Sequence, residues 1–416
     1  MAESGEEIFI GRQPILGRNH ELFAYELLFR NGRQRNSAEV EDDMQASASV
    51  ISHAFADFGV EQALGPYKGF INCDATLLLA DLLEALPADK IVLEVLETVE
   101  VTAEIVERCK TLKALGYTLA LDDFVNFEDK FKPLLEVVEI VKVDLLPLDA
   151  AGLATTTQAL KMWPLKLLAE KVDSRELADR CHTLGYSYFQ GYYFAKPSII
   201  AGKKLGHSQL SLMRLLGLVL EDAETPQLEA VLKTEPGLAI NLMRLTNSAA
   251  SGIRTRITSI RHAIAVLGRR QLQRWLQLLL YTNPAGGQVV SPLLQLAASR
   301  GRLMELLAGK LHAGRGDFED LAFMTGIMSL MPTLMSVSLE EILRGIEISG
   351  SVREALEAHG GELGAMLKLT EALEAGDGPA CSDIARQLPG LDVWTVNTCL
   401  AQALTWANNI GRENEA

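Results

Sequence analysis

The sequence predicts an α/β barrel in its first half and an all-α domain in its second, on three observations. From Ile8 to about Pro197, short apolar β-branched runs alternate with amphipathic helical stretches, the rhythm of strand–helix–strand units around a mainly parallel sheet. Seven of eight candidate strands finish in polar or charged residues. After Lys196-Pro197 the β-rich pattern stops, and spacings such as Leu210-x-x-Met213-x-x-Leu216 and Leu238-x-x-x-Leu242-x-x-Leu245 are helical.

The strands read as Ile8 to Pro14, Leu22 to Leu28, Gly69 to Asn72, Ile91 to Val95, Thr118 to Asp122, Glu139 to Val143, Lys166 to Glu170 and Tyr186 to Gln190. Eight strands with helices between most of them, within about 200 residues, predict a TIM-like (β/α)8 barrel. The first two lie too close for a helical crossover and are expected to pair antiparallel. The barrel is assigned to residues 1–200 and the helical domain to 201–416. Breaks within the second fall at Thr234-Glu235-Pro236-Gly237, Gly286-Gly287, Gly360-Gly361 and Gly376-Asp377-Gly378-Pro379.

Composition supports two globular cores: 416 residues, 48% apolar and 22% charged, exceed what one core organises. The acidic opening Met1-Ala2-Glu3-Ser4-Gly5-Glu6-Glu7 lacks the basic flank and apolar stretch of a secretion signal, and no apolar run has membrane-spanning length. A cytoplasmic protein with no membrane partner is expected. Five cysteines, odd in number, far apart and without a Cys-x-x-Cys pair, read as reduced, buried thiols.

A net charge of -15 argues against a nucleic-acid binder, whose affinity comes from clustered cations. Arg254, Arg256, Arg261, Arg269, Arg270 and Arg274 do crowd a short span, but helical spacing spreads them over several faces, as on a solvated or partner-binding surface. Trp275 is expected to pack its helix. A phosphate-ester substrate would therefore need bound divalent cations to neutralise it.

The strand ends carry the chemistry. Barrel strands point apolar residues inward and present active-site groups at their C-terminal ends. Here those groups are Glu26, Asn72, Glu94, the pair Asp122-Asp123, Lys142, Glu170 and Gln190. Any one of these acids alone reads more simply as a surface or capping residue; their recurrence at strand ends decides otherwise. So many buried carboxylates require cations, and Lys142 alone is not enough. A set of oxygen donors suits Mg²⁺ or Mn²⁺ better than Zn²⁺. Two metals sharing Asp122 or Asp123 would hold a phosphodiester, with Glu170 taking a proton and Lys142 holding the water or screening developing charge.

In this order the residues resemble the EAL domain, a barrel family associated with cyclic di-GMP hydrolysis. Further pieces are Arg12-Gln13-Pro14-Ile15, Glu26-Leu27-Leu28-Phe29-Arg30, Ile71-Asn72-Cys73-Asp74, Glu94-Val95-Leu96-Glu97, Lys142-Val143-Asp144 and Gln190-Gly191-Tyr192-Tyr193-Phe194-Ala195-Lys196-Pro197. The resemblance implies metal ligation by Glu26, Asn72, Glu94, Asp122 and Asp123, and catalytic roles for Glu170, Lys142 and Gln190. Gln13 and Arg30 would contact substrate, and Glu97 would anchor the loop after the paired aspartates. The chain departs from the family at Leu27, where the signature has alanine, and at Lys171, where it has glycine. It also has Val125-Asn126-Phe127-Glu128 in place of a glycine-rich loop that couples dimerisation to metal binding, and a shorter connection from Lys142 to Glu170, implying a trimmed helix.

The second half resembles the HDOD domain, a helical relative of HD phosphohydrolases. The resemblance rests on Thr234-Glu235-Pro236-Gly237-Leu238, Leu242-Met243-Arg244-Leu245-Thr246-Asn247-Ser248, the stretch Ile257 to Gly268, Phe323-Met324-Thr325-Gly326 and Trp406-Ala407. No His-Asp dipeptide occurs anywhere, and His262, His312 and His359 are isolated, so this domain is expected to be catalytically silent.

Two functions follow from the resemblances. One is Mg²⁺- or Mn²⁺-dependent hydrolysis of cyclic di-GMP, regulated by the helical domain. The other is a catalytically inactive scaffold that acts through protein–protein interaction. Expected partners are cyclic di-GMP, a signalling protein docking on the helical domain, and a second copy of the chain.

Overall fold

The computed structural model describes residues 8–19, 21–31, 64–191 and, between 214 and 410, all but 216, 219–222, 235, 253–256, 258, 280, 282–291, 336–337 and 345–347. The chain divides into two compact units, residues 1–196 with 373–379, and 197–372 with 380–416.

In the first unit eight described strands close into a barrel in sequence order. They are β1 (Ile8–Gly17), β2 (Leu22–Asn31), β3 (Lys68–Cys73), β4 (Ile91–Val95), β5 (Thr118–Phe124), β6 (Ile140–Asp144), β7 (Lys166–Glu170) and β8 (Tyr188–Phe189). From β2 to β8 every pairing is parallel; β1 runs antiparallel to both β2 and β8. Outside the sheet lie α1 (Ala75–Leu79), α2 (Ala103–Ala114), α3 (Lys132–Leu135), α4 (Ala150–Leu160) and α5 (Arg175–Leu184). α4 is the helix in the connection from Lys142 to Glu170.

Capping separates structural acids from site acids. Asp74 and Asp149 accept hydrogen bonds from Leu77 N and Gly152 N, satisfying donors that a helix start leaves unpaired. Their carboxylates are thereby committed to helix starts.

The barrel interior follows from the two-residue period of strands. One closed layer takes a side chain from each strand: Ile15, Ala24, Phe70, Val92, Ala120, Ile140, Leu168 and Tyr188. This plug is buried and packed. Alternate residues face outward, where Ile71, Leu93, Leu121, Val143 and Ala169 pack with Leu78, Cys109, Leu135, Leu153 and Cys181 of the helical layer. Being covered on both faces, β4 is buried at all five positions, Glu94 included.

β5 contains the main irregularity. Its pairing with β6 jumps from Leu121↔Val141 to Phe124↔Val143, so one extra residue is accommodated at Asp122-Asp123. Asp123 absorbs the bulge with φ 42, and Phe124 returns to the outer core. β8 is short, yet Gln190 N donates to Ala169 O at 2.8 Å and Val172 N donates to Gln190 O at 3.1 Å, which fixes Gln190 as a continuation of the sheet. Gly191 follows with φ 146; a Cβ there would stand 2.3 Å from Val172 N, so no larger residue fits.

The second half of the chain is helical. It comprises α6 (Thr225–Thr234), α7 (Pro236–Thr246), α8 (Ile260–Leu279, kinked at Gly268), α9 (Pro292–Leu311), α10 (Gly316–Met328), α11 (Met331–Met335), α12 (Leu339–Arg344), α13 (Gly350–Ala358), α14 (Gly361–Ala375), α15 (Gly378–Ala385) and α16 (Val393–Asn408). α9 and α10 approach at Gly301 and Gly326, where a Cβ on Gly326 would lie 2.8 Å from Gly301 Cα. Trp275 is buried against Trp406, with ring centroids 6.0 Å apart.

The arginines read as a solvated or partner-binding surface divide. Arg254 and Arg256 lie outside the described residues, as do the side chains of Arg261 and Arg269. Arg270 Nε pairs with Asp320 Oδ2 at 2.5 Å, and Arg274 pairs with Asp320 at 2.8 Å and with Glu305. Arg274 is thereby largely covered among the helices, whereas Arg270, its side chain 50% exposed, stays on the surface as the spacing predicts. All five cysteines are free and buried. No described helix is long and apolar enough to cross a membrane.

Candidate functional site

The site is the layer of barrel side chains directly above the apolar plug. Two positions beyond Ala24, Phe70, Val92, Ala120, Ile140, Leu168 and Tyr188 come Glu26, Asn72, Glu94, Asp122, Lys142, Glu170 and Gln190. On β1, which runs the other way, the corresponding residue is Gln13, two positions before Ile15 and paired with Glu26. The strand period thus converts a ring of apolar residues into a ring of polar ones without any change of fold.

Lys142, 1% exposed, stands at the centre. Its Nζ lies 2.7 Å from Glu94 Oε1, 2.7 Å from Asp122 Oδ1, 2.9 Å from Glu170 Oε1 and 3.7 Å from Glu26 Oε2. Gln190 Nε2 donates to Glu26 Oε2 at 2.5 Å and to Gln13 Oε1 at 3.1 Å, and Asn72 Nδ2 reaches Glu26 Oε1 at 3.4 Å. The paired strands bring Asn72 opposite Glu94 and Asp144 opposite Glu170.

Four carboxylates around one ammonium leave a deficit of positive charge, and Glu94 and Glu170 hold their protons more tightly. Burial pushes the Glu94 carboxyl well above the usual range; Lys142 opposes this, while Glu26 and Asp122 add to it. Burial likewise pushes Glu170 up to about 8, against the pull of Lys142. Burial alone would favour neutral Lys142, but Glu94, Glu170, Glu26 and Asp122 outweigh it and hold the ammonium well above the usual lysine range.

A second ion-pair group lies at the rim. Lys171 Nζ bonds Asp123 Oδ1 at 2.9 Å and Asp144 Oδ2 at 2.7 Å. From sequence alone Asp144 carries no assigned role, and Lys171 stands only where the family has glycine. The period-2 rule already placed Asp144 on the face of Lys142; the arrival of Lys171 depended on barrel register. Glu97 is exposed, and its carboxyl is raised by burial and by nearby Asp123 and Asp122, with Lys171 pulling the other way. Arg30 lies on β2 opposite Phe9, but its side chain falls outside the described residues.

The donor chemistry fits a hard divalent ion. Asp122, Asp123 and Glu170 offer ligand atoms within 4.8 Å of one another. Glu94 Oε2, Glu170 Oε2, Asn72 Oδ1 and Gln190 Oε1 are buried without a hydrogen-bond partner, which is costly unless something else engages them. Glu26 and Asn72 lie across the mouth from that trio, tied to Gln190 and to each other. Among the described residues of the helical half, no comparable group of ligating side chains occurs. His312 and His359 instead face Glu362 at 2.7 Å and Glu371 at 2.9 Å.

Family models match both halves: the EAL domain over residues 7–197 and the HDOD domain over 207–367. The chain joins an EAL domain to an HDOD domain. Two relatives align with this EAL–HDOD protein along nearly its whole length. The uncharacterized protein YuxH of Bacillus subtilis (strain 168) is 29% identical over 97% of this chain and 98% of its own. The cyclic di-GMP phosphodiesterase CdgJ of Vibrio cholerae serotype O1 is 28% identical over 97% of this chain and 93% of its own. Among solved structures, Klebsiella pneumoniae BlrP1 in complex with manganese and cyclic di-GMP is 22% identical, covering 46% of this chain and 56% of its own, with a TM-score of 0.39.

Proposed function

We propose that the barrel, residues 1–200, binds cyclic di-GMP over the polar ring and hydrolyses one phosphodiester bond to give the linear dinucleotide. The observation that carries this reading is the unbroken ring of oxygen donors around Lys142, one from each remaining strand. Similarity along the full length to a relative named as a cyclic di-GMP phosphodiesterase supports the substrate class.

Glu26, Asn72, Glu94, Asp122 and Asp123 are the residues that would hold Mg²⁺ or Mn²⁺. When bound, the ion neutralises phosphodiester charge and acidifies water. Glu170, whose carboxyl burial has made more basic, accepts the proton as the water oxygen bonds to phosphorus and the bond to the ribose oxygen breaks. Lys142 places its ammonium against charge developing on the phosphoryl oxygens. Gln190, Gln13 and Arg30 orient the dinucleotide.

The helical domain, residues 201–416, takes no chemical step; it relays regulation to or from a signalling protein in the cytoplasm. A second reading, a barrel that binds without turnover, is favoured by one observation: Lys171 already engages Asp123.

Purified protein with Mg²⁺ or Mn²⁺ and cyclic di-GMP is expected to release the linear dinucleotide, resolved by chromatography, while Glu26→Ala does not. Equal inertness of both proteins, with tight binding of cyclic di-GMP by calorimetry, overturns hydrolysis in favour of the second reading.

A further inference from the structure

The mouth of the barrel has two tiers of carboxylates, each closed by its own lysine. The lower tier is Glu26, Glu94, Asp122 and Glu170 around Lys142. The upper tier is Asp123 and Asp144 around Lys171. Asp144 stands two residues past Lys142 on β6 and so faces the same way one layer higher. Asp123 is the extra residue of the β5 bulge, and Lys171 follows Glu170 directly. Thus all three upper residues are neighbours of lower-tier residues on adjacent strands.

Both ends of one upper ion pair are held in left-handed backbone, Asp123 with φ 42 and Lys171 with φ 55. Such conformations are uncommon outside glycine, and two of them at a single contact mark a geometry imposed by the surrounding structure. The ammonium sits 2.7 and 2.9 Å from its two oxygens, the range of charge-assisted hydrogen bonds. Below it, Glu94 Oε2 and Glu170 Oε2 remain buried and without a hydrogen-bond partner. Positive charge is therefore supplied to the upper tier from within the chain and is lacking in the lower one.

We propose that Lys171 takes the place of a second divalent cation. Its ammonium occupies the Asp123 and Asp144 oxygens, so Asp123 leaves the ligand set proposed above, and the mouth retains one ion position, among Glu26, Asn72, Glu94 and Asp122, with Glu170 free to take the proton. This rests on the metal-binding reading above and replaces the expectation of two metals sharing the Asp122-Asp123 pair.

Glycine accommodates φ 55 without strain, so Lys171→Gly opens the upper tier without straining the turn; Lys171→Met keeps the side-chain bulk while removing charge. Mn²⁺ is titrated into the full-length, chelator-treated proteins, with stoichiometry by calorimetry and ion–ion coupling by electron paramagnetic resonance. Wild type is expected to bind one equivalent and show an isolated ion. Lys171→Gly is expected to bind two equivalents with an exchange-coupled spectrum, and Lys171→Met to gain at least part of the second equivalent. Two coupled ions on the wild type overturn this proposal while leaving the metal reading intact, as does a Lys171→Gly protein that still binds one. No Mn²⁺ on any of the three overturns the metal reading and this proposal with it.

Discussion

Gln190 Nε2 donates to Glu26 Oε2 across 2.5 Å, and with its bond to Gln13 it ties the last strand of the barrel to the first two. Removing one partner of a buried hydrogen bond costs about 1–3 kcal/mol, because the other is left unsatisfied. Gln190→Leu is therefore expected to lower the unfolding free energy of the barrel by about 2 kcal/mol in urea titration. A variant as stable as wild type would show that the clamp on Glu26 contributes nothing.

Lys142 is the hub of the lower tier, and its removal is expected to be felt through the acids it leaves behind. Breaking a buried ion pair by deleting one partner costs about 3–5 kcal/mol. Lys142→Met should lose stability on that scale at pH 8, and much less at pH 5, where Glu94 and Glu170 already hold protons and leave less negative charge uncompensated. Equal losses at both pH values would mean that the side chain mattered for its bulk alone.

Much of this ring was legible because a strand has a two-residue period: once a plug residue such as Val92 or Leu168 is placed, Glu94 and Glu170 follow. Gln190 illustrates the limit. Nothing in the residues around Gln190 shows that its amide reaches Glu26, 164 positions away in sequence. In sequence Lys171 reads only as a departure from the family's glycine; its engagement of Asp123 and Asp144, 48 and 27 positions away, arises from the β5 bulge and the stagger of β5, β6 and β7. In the helical half, spacing places Arg270 on the surface, where it lies, but does not show that Arg274 is largely covered, because Asp320 lies 46 residues from Arg274 and only helix packing brings it near.

The raised Glu170 carboxyl sets a pH dependence for the metal-free protein. Its folded value is about 8, against about 4.3 for an unperturbed glutamate, so between those limits the folded chain holds a proton that the unfolded chain has lost. Stability from this group is complete below about pH 4.3 and falls as pH rises through 8, by up to about 1.4 kcal/mol per pH unit. Thermal denaturation in chelator is expected to show a steeper loss from pH 6 to 8 for wild type than for Glu170→Gln. Added Mn²⁺ should flatten the wild-type curve by displacing the proton. Parallel curves for the two proteins in chelator would remove Glu170 as the cause.

The helical half offers a test independent of the mouth. At Gly326 a Cβ would lie 2.8 Å from Gly301 Cα, a backbone atom that cannot rotate away, whereas at Gly350 it meets nothing within 4 Å. Overpacking a close helix contact costs about 1–3 kcal/mol, so Gly326→Ala should destabilise by that amount as α9 and α10 are pushed apart. Gly350→Ala, in the first turn of α13, should be neutral or slightly stabilising, because alanine loses less backbone freedom in a helix than glycine. Both are read by urea denaturation of the full chain. Indistinguishable midpoints would mean that α9 and α10 do not meet at the Gly301–Gly326 contact.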